Sequence, residues 1–545
     1  MILLALFFAV PLLLLLGPIL PSIFQTNRLP PSPIALPIIG HFHLLSALLH
    51  RSFHRLAARH GALLSLRLGS AVWIVASTPD LAREFLKNNE LCFTSHGTSA
   101  AISRLTYGYS SLAFTPYGPY WKFVKKLTMK ELLSTRPLTE FGELRAREYR
   151  QFLRLLFRKA QSGAGEAVNL SAELPKMLNN MVVRMMLGSN NSTTPTSSSD
   201  DDDDGRAEEA RIVLHQVTEI FTELNLADFF WFCRKLDLQG CQKRIDAIFR
   251  RFDALAEKFI TEREQLVRRG KHVKNKGDNN NDNNESSNSE EKAPFLDVLL
   301  GIMDHEDAEM NLTRDHIKAL LLDLLTAGTD TTSTAIEWTL AELINHPKVL
   351  EKAREEIDRV IGNTRLVGES DGSDLPYIQA IIKESLRLHP PTPLVSRKCV
   401  KDCAIGNYII PANATVFINT WAMGRDPNNW ESPLDFWPER FLQAHEGGKN
   451  DLQIDVRGHH FQLLPFGSGR RMCPGMNLAI QILPTLVAAI IQCFDLKVVG
   501  SSSDRSDGED AVLSMEERPG ISAPRLHNLV CIPVARFSPL NIMDL

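Results

Sequence analysis

One segment limits what this chain can fold into more than any other. From Thr313 to Asn345, TRDHIKALLLDLLTAGTDTTSTAIEWTLAELIN, apolar residues recur at helical spacing. Thr313 is a suitable cap and Pro347 a stop, so the pattern predicts one long helix. Its centre, TAGTDTTST (Thr326 to Thr334), sets glycine and poor helix formers between two apolar halves that would otherwise bury comfortably. Two readings are open here. The threonine hydroxyls can bond back to the preceding turn and kink the helix. Alternatively, Gly328 opens a groove beside a bound planar molecule, with Asp330 and Thr331 facing it.

Of 545 residues 44% are hydrophobic, and 60 Lys and Arg stand against 64 Asp and Glu. That suffices for a sizeable core, and without a long Gly/Ser linker one large domain is expected. No basic tract is present, which argues against nucleic acid as a partner. The cysteines at 92, 233, 241, 399, 403, 473, 493 and 531 are too scattered for a disulfide framework, so a reducing compartment fits.

The first 24 residues, MILLALFFAVPLLLLLGPILPSIF, carry no charge. As a helix, Ile2 to Phe24 would extend about 34 Å, enough to cross a bilayer. The run lacks a basic n-region and is long for a signal-peptide core, so residues 1–25 are expected to be a membrane anchor. Arg28 and the charges after it place the body in the cytosol. The prolines of LPPSPIALPIIGH (Leu29 to His41) deny helix, and residues 26–41 are expected to form an extended hinge before the body, 42–545. LLSLRLGSAVWIVAS (Leu63 to Ser77) alternates and reads as two strands around Gly69-Ser70. Helical patterns prevail thereafter. Two low-complexity stretches, Ser189 to Arg206 and Gly270 to Lys292, are expected to be mobile surface loops.

A shorter helix lies in SDLPYIQAIIKESLRLHPP, entered at Ser373 or Asp374 and stopped by Pro390 and Pro391. Glu384 and Arg387 share one face of it. In so apolar a helix the pair can be buried and bonded onward to Arg440 of FWPERF (Phe436 to Phe441), an architectural role.

PFGSGRRMCPG (Pro465 to Gly475) holds Cys473 in a basic, glycine-rich bend. Zinc would want close ligand pairs, and Cys399 and Cys403 do not have that spacing. A phosphate loop would need Lys-Ser/Thr after the glycines. A nucleophilic cysteine could draw on His459 or His460. The remaining candidate is an axial thiolate to haem iron, with glycines letting the backbone approach the macrocycle and arginines suited to its propionates.

With these residues together, the chain resembles a microsomal plant cytochrome P450. The haem signature is matched by Phe466, Gly469, Arg471, Cys473 and Gly475, and the oxygen-activation motif by Ala327, Gly328, Asp330 and Thr331. Glu384, Arg387 and the element Pro438 to Phe441 match the remaining two motifs. The resemblance implies a mainly α fold with small β-sheets, a single N-terminal transmembrane helix in the endoplasmic reticulum membrane, and a cytosolic catalytic domain. It also implies haem b ligated by Cys473, and electrons from NADPH through cytochrome P450 reductase. Trp121 and Arg397 match propionate-binding residues, and Lys125 stands where this family usually has arginine. Asp330 and Thr331 would relay protons to bound oxygen.

Three runs, DLPYIQAIIKESLRLHPP, His460 to Ala479 and Met515 to Arg536, look closest to the flavonoid-modifying branch. Isoflavone synthases typically have lysine at the position of Ser396 and often serine at that of Thr326. The resemblance therefore implies flavone synthase II, which introduces a C2–C3 double bond into a flavanone such as naringenin. Substrate contacts are expected in Ser103 to Thr115, at Leu325, Thr326 and Thr331, at Leu394, Val395 and Ser396, and at Ile521. Ser396 is expected to hydrogen-bond a flavanone oxygen. Isoflavone synthase and flavanone 2-hydroxylase are the alternatives within this chemistry. A low-turnover haem-binding protein is the alternative outside it, and the Asp330-Thr331 pair speaks against that.

Overall fold

The structure, a computed structural model, describes residues 28–162, 165–188, 200–235, 237–277, 292–305, 309–442, 454–499, 512–520 and 522–536. The expected anchor, 1–25, and Ile521 lie outside the described residues. The principal helices are α1 (Leu49–His60), α2 (Ala100–Leu105), α3 (Pro119–Thr128), α4 (Gly142–Gln161), α5 (Leu170–Leu187) and α6 (Asp200–Thr222). They continue with α7 (Cys241–Gly277), α8 (Phe295–Met303), α9 (Arg314–Asn345), α10 (Pro347–Val360), α11 (Pro376–Leu388) and α12 (Met476–Cys493). The fold is mainly α.

The alternating run after the hinge forms β1 (Leu63–Leu68) and β2 (Ala71–Ala76), turned at Gly69 with φ +55°. A Cβ there would meet the Phe229 carbonyl oxygen at 2.5 Å, so the close approach requires glycine as much as the turn does. The remaining strands are β3 (Val168–Asn169), β4 (Leu394–Lys398), β5 (Cys403–Ile405), β6 (Tyr408–Ile410), β7 (Thr415–Asn419), β8 (Phe494–Val498) and β9 (Val530–Ala535). They make sheets ordered β1-β2-β7-β4, β3-β9-β8 and β5-β6. In the first sheet β2 and β7 run parallel, while β4 pairs antiparallel with β7 and sets Ser396 opposite Phe417. Its two faces bury different clusters. Ile74, Val416, Ile418 and Val395 pack with Phe85 and Phe93, whereas Trp73, Val75 and Phe417 pack with Phe53.

Helix α9 runs unbroken, capped by Thr313 through a capping box with His316. Its weak centre is a set of back-bonded hydroxyls: Thr326 donates to the Leu322 carbonyl at 2.7 Å and Thr331 to that of Ala327 at 2.7 Å. Gly328 does not open a groove for a ligand. A Cβ there would lie 3.2 Å from Val182, so the glycine lets α5 pack closely against α9.

Several expectations are corrected. Of the two expected loops, residues 189–199 and 278–291 lie outside the described residues, while the aspartate run at 200–204 opens α6. Residues 270–277 extend α7. Helix α11 begins at Pro376, because Glu369–Asp374 form a 3-10 turn before it. The described part of the hinge, from residue 28, is tied to the body. It docks on β1 through Ser65, whose amide and hydroxyl donate at 2.8 Å to the carbonyls of Pro31 and Pro30, and then turns back at Leu36 to Gly40. Helix α12 is the one described helix long and apolar enough to cross a membrane, but 67% of that window is buried inside the protein, as befits a core helix.

Candidate functional site

The bend before α12 is built around Cys473. Its amide donates to the Phe466 carbonyl at 3.0 Å, and Gly467 and Gly469 take φ of +70° and +76°. A Cβ on Gly469 would stand 2.5 Å from the Leu86 carbonyl oxygen, which excludes any larger residue. The sulfur receives hydrogen bonds from the Gly475 and Met476 amides at the start of α12; burial pushes the thiol up from its ordinary value and these donors oppose it. Cys473 is nonetheless exposed by area. Both statements hold for a sulfur deep in the molecule that faces internal space. Ala327 is likewise exposed in the middle of α9, between buried Leu325 and Thr329.

Cations gather beside this bend. Arg397 on β4 is 3% exposed and donates to the carbonyls of Ser396 (2.8 Å) and Arg471 (3.3 Å). Arg471 donates to the Thr94 carbonyl at 2.7 Å, to those of Leu112 and Ala113 at 3.2 and 3.3 Å, and to that of Thr115. Its guanidinium lies over the Trp121 ring at 4.5 Å, and the Lys125 ammonium lies 4.9 Å from the same ring. Lys125 also donates to the Arg470 carbonyl at 2.5 Å. Burial pushes Arg397 down to about 10, assisted by Arg471, and pushes Arg471 down to about 10. Burial, and then Arg471, also lower Lys125. His96, against the same two arginines, is held well below its ordinary value by burial and by their charge. Arg470 pairs with Glu90 at 2.7 Å. Among the described residues, no carboxylate comes within ion-pair distance of Arg397, Arg471 or Lys125. Their free valence suits a ligand that brings its own carboxylates.

Glu384, Arg387 and Arg440 come together away from this surplus. Arg387 forks onto Glu384 at 2.7 and 2.8 Å, and Arg440 reaches the same carboxylate at 3.1 Å. The Trp437 amide donates to it at 2.8 Å, and the remaining Arg387 donors take the carbonyls of Gly424, Pro433 and Asp435. The cluster is closed.

The family model for cytochrome P450 matches residues 30–522. This chain belongs to the cytochrome P450 family. It is therefore a monooxygenase of haem b held by a cysteine thiolate, and it works with a reductase and a small-molecule substrate. It is 49% identical over 510 residues to cytochrome P450 93B16 of Glycine max, covering 94% of this chain and 92% of that protein. With a 2-hydroxyisoflavanone synthase of Glycyrrhiza echinata it shares 46% identity over 512 residues, 93% of this chain and 92% of the relative. A solved zebra fish cytochrome P450 with progesterone superposes with a TM-score of 0.69 at 23% identity, covering 89% of this chain and 99% of that one, and supports the fold. The residues described above fit the prosthetic group: a sulfur facing interior space, amide donors on that sulfur, and buried cations free for propionates.

The expected haem residues Trp121, Lys125, Arg397, Phe466, Arg471, Cys473 and Gly475 fall in one neighbourhood. The expected substrate residues do not. Val395 shares a strand face with Arg397, and both lie just within 4 Å of where a Gly467 Cβ would stand. Leu394 and Ser396 occupy the opposite face with Phe417 and its aromatic cluster, because strand neighbours alternate. Ser396 thus lies on the face of β4 away from Arg397. Asp330 and Thr331 diverge as well: burial raises the Asp330 pKa, while Thr218 and His215 of α6 and Arg518 oppose the rise. Thr331 spends its proton on Ala327, leaving its oxygen free to accept.

Sequence reasoning missed His96, Thr218 and Asp323. For the last, one signal was present: Asp323 precedes Asp330 by seven residues, two helical turns, on the same stripe.

Proposed function

We propose that this chain is a flavone synthase II on the endoplasmic reticulum membrane, with its body in the cytosol. It would remove hydrogen from C2 and C3 of a flavanone such as naringenin, with electrons from NADPH passed by cytochrome P450 reductase. What supports this is the higher identity to cytochromes P450 93B16 and 93B2, 49%, than to the 2-hydroxyisoflavanone synthase, 46%, combined with serine at 396, where the resemblance to isoflavone synthases implies lysine. Ser396 acts in this argument as a marker of branch and not as a contact.

Cys473 would supply the thiolate, with the amides of Gly475 and Met476 directed at its sulfur. Arg397, Arg471, Lys125 and Trp121 would hold the propionates. When bound, the haem supplies oxygen activation. Thr331, its hydroxyl fixed on Ala327, would accept a hydrogen bond from water at the reacting face. Asp330, raised by burial, would hold a proton nearer neutrality than an ordinary carboxylate does. Val395 would flank the substrate.

Isoflavone synthase is the second reading, favoured by the name of that same relative. The test is product analysis of microsomes carrying this chain, a P450 reductase, NADPH and naringenin. Apigenin, directly or after acid treatment, supports the reading. Genistein or its hydrated precursor supports the second one, and no product from haem-loaded microsomes overturns both.

A further inference from the structure

The strip Ser111 to Thr115 is gripped from both sides. On one side stands Asp323 of α9, which accepts the Ala113 amide at 2.8 Å, with the Ser111 hydroxyl and the Leu112 amide near its carboxylate. On the other stands Arg471, which donates to the carbonyls of Leu112, Ala113 and Thr115. The peptide groups of this strip therefore lie between a buried carboxylate and a partly buried guanidinium, and each charge acts on the other across it. Tyr120 of α3 secures the approach by donating to the Ser110 carbonyl at 2.7 Å. The outcome is a fixed Phe114, its ring 5.6 Å from that of Phe221 on α6 and 6.1 Å from that of His96.

A connection between two helices would ordinarily be free to move. Here the amide that Asp323 accepts belongs to this short stretch, and the same stretch supplies three of the four carbonyls holding Arg471. We propose that Asp323 is a positioning residue. It fixes the strip that walls the substrate space at Phe114 and, through the same peptides, holds Arg471 over Trp121. Burial pushes the Asp323 carboxyl up to about 7, while Ala113, Ser111, Leu112 and Arg471 oppose the rise. A carboxylate kept in so unfavourable a place, 9% exposed, is there for the hydrogen bonds it accepts.

The inference rests on the function proposed above only for its affinity readout. The experiment compares haem-loaded wild type with Asp323→Asn and Asp323→Glu. Asp323→Asn removes the charge from the group that accepts the Ala113 amide, whereas Asp323→Glu keeps it. Amide hydrogen exchange in the ferric enzyme should rise at least tenfold at Leu112 and Ala113 in Asp323→Asn, and Asp323→Glu should recover part of the protection. Naringenin binding, followed by the substrate-induced difference spectrum, should weaken about tenfold in Asp323→Asn, a change matching the loss of one charge-assisted hydrogen bond. The reduced carbon monoxide spectrum should stay that of a thiolate haem, and turnover of bound substrate should change much less than affinity. Unchanged exchange at both amides in a haem-loaded Asp323→Asn would overturn the proposal. Should that variant fail to fold, Asp323→Glu, which moves the carboxylate by one methylene, is expected to raise exchange at Ala113 by about threefold over wild type; no shift would overturn the proposal equally. Wild type that shows protected amides but binds no flavanone would sink the substrate reading and leave the clamp standing.

Discussion

Two arginine clusters are buried in this molecule, and their balance differs. Around Glu384, one carboxylate serves Arg387 and Arg440 while backbone carbonyls take the remaining donors, so nothing is left over for a ligand. Around Cys473, Arg397, Arg471 and Lys125 meet carbonyls and an indole face but no carboxylate among the described residues. The first arrangement is complete as the chain folds. The second becomes favourable when an anionic partner arrives, and the depressed pKa of its cations records that. Buried charge thus marks architecture where it is paired and a binding site where it is in surplus.

The largest expected effect is at the sulfur. Cys473→Ser should abolish the reduced carbon monoxide spectrum of thiolate haem, and its survival would remove Cys473 as the ligand. Next comes the closed cluster. Glu384→Gln strands two guanidinium groups and should cost about 3–5 kcal/mol, read by urea unfolding. A loss below about 1 kcal/mol would put it in the class of exposed pairs and erase the contrast. Opening the surplus should act differently. Arg397→Met is expected to speed haem transfer to apomyoglobin about tenfold while leaving the stability of the haem-free protein unchanged or higher. A fall in haem-free stability comparable to that of Glu384→Gln would show both clusters to be architectural.

A smaller effect separates both from an acid-sensitive tie. Glu517 accepts from His50 at 2.8 Å, Arg51 at 2.9 Å and Trp421 at 3.0 Å. Burial opposes its charge, but these partners win and hold its carboxyl down to about 2. A carboxylate depressed on folding adds stability that is whole above the unfolded pKa, about 4.5, and fades as pH falls toward 2. Thermal unfolding should therefore show a gap between wild type and Glu517→Gln that narrows steadily below about pH 5. A gap independent of pH would remove the ionic account. The smallest effect is expected at Ser396. Ser396→Lys should leave the product profile unchanged, because the side chain points away from Arg397, whereas Val395→Phe should lower flavanone turnover. The reverse pattern would mean that the face assignment of β4 fails.

Much of this site was legible because its chemistry is local. The spacing of Phe466, Gly469, Arg471 and Cys473 lies within one bend, and Glu384 and Arg387 lie one helical turn apart. Arg440 could be paired with them because a buried carboxylate needs further donors. The misplaced residues are those whose meaning depends on a distant partner. Ser396 and Val395 are neighbours in sequence, and only the pairing of β4 with β7 decides which faces Arg397. Gly328 looked like space for a ligand until Val182 was found against it. Asp323 meets a strip some two hundred residues earlier, and nothing in its own surroundings names that partner.

The most direct test of the account uses naringenin carrying deuterium at C2, turned over by microsomes with reductase and NADPH. A flavone synthase must break the C2–H bond, whether by desaturation or by hydroxylation followed by loss of water. The account predicts a product that elutes with apigenin and has lost the deuterium. A product that keeps the label, as migration of the aryl group from C2 to C3 requires, would contradict it.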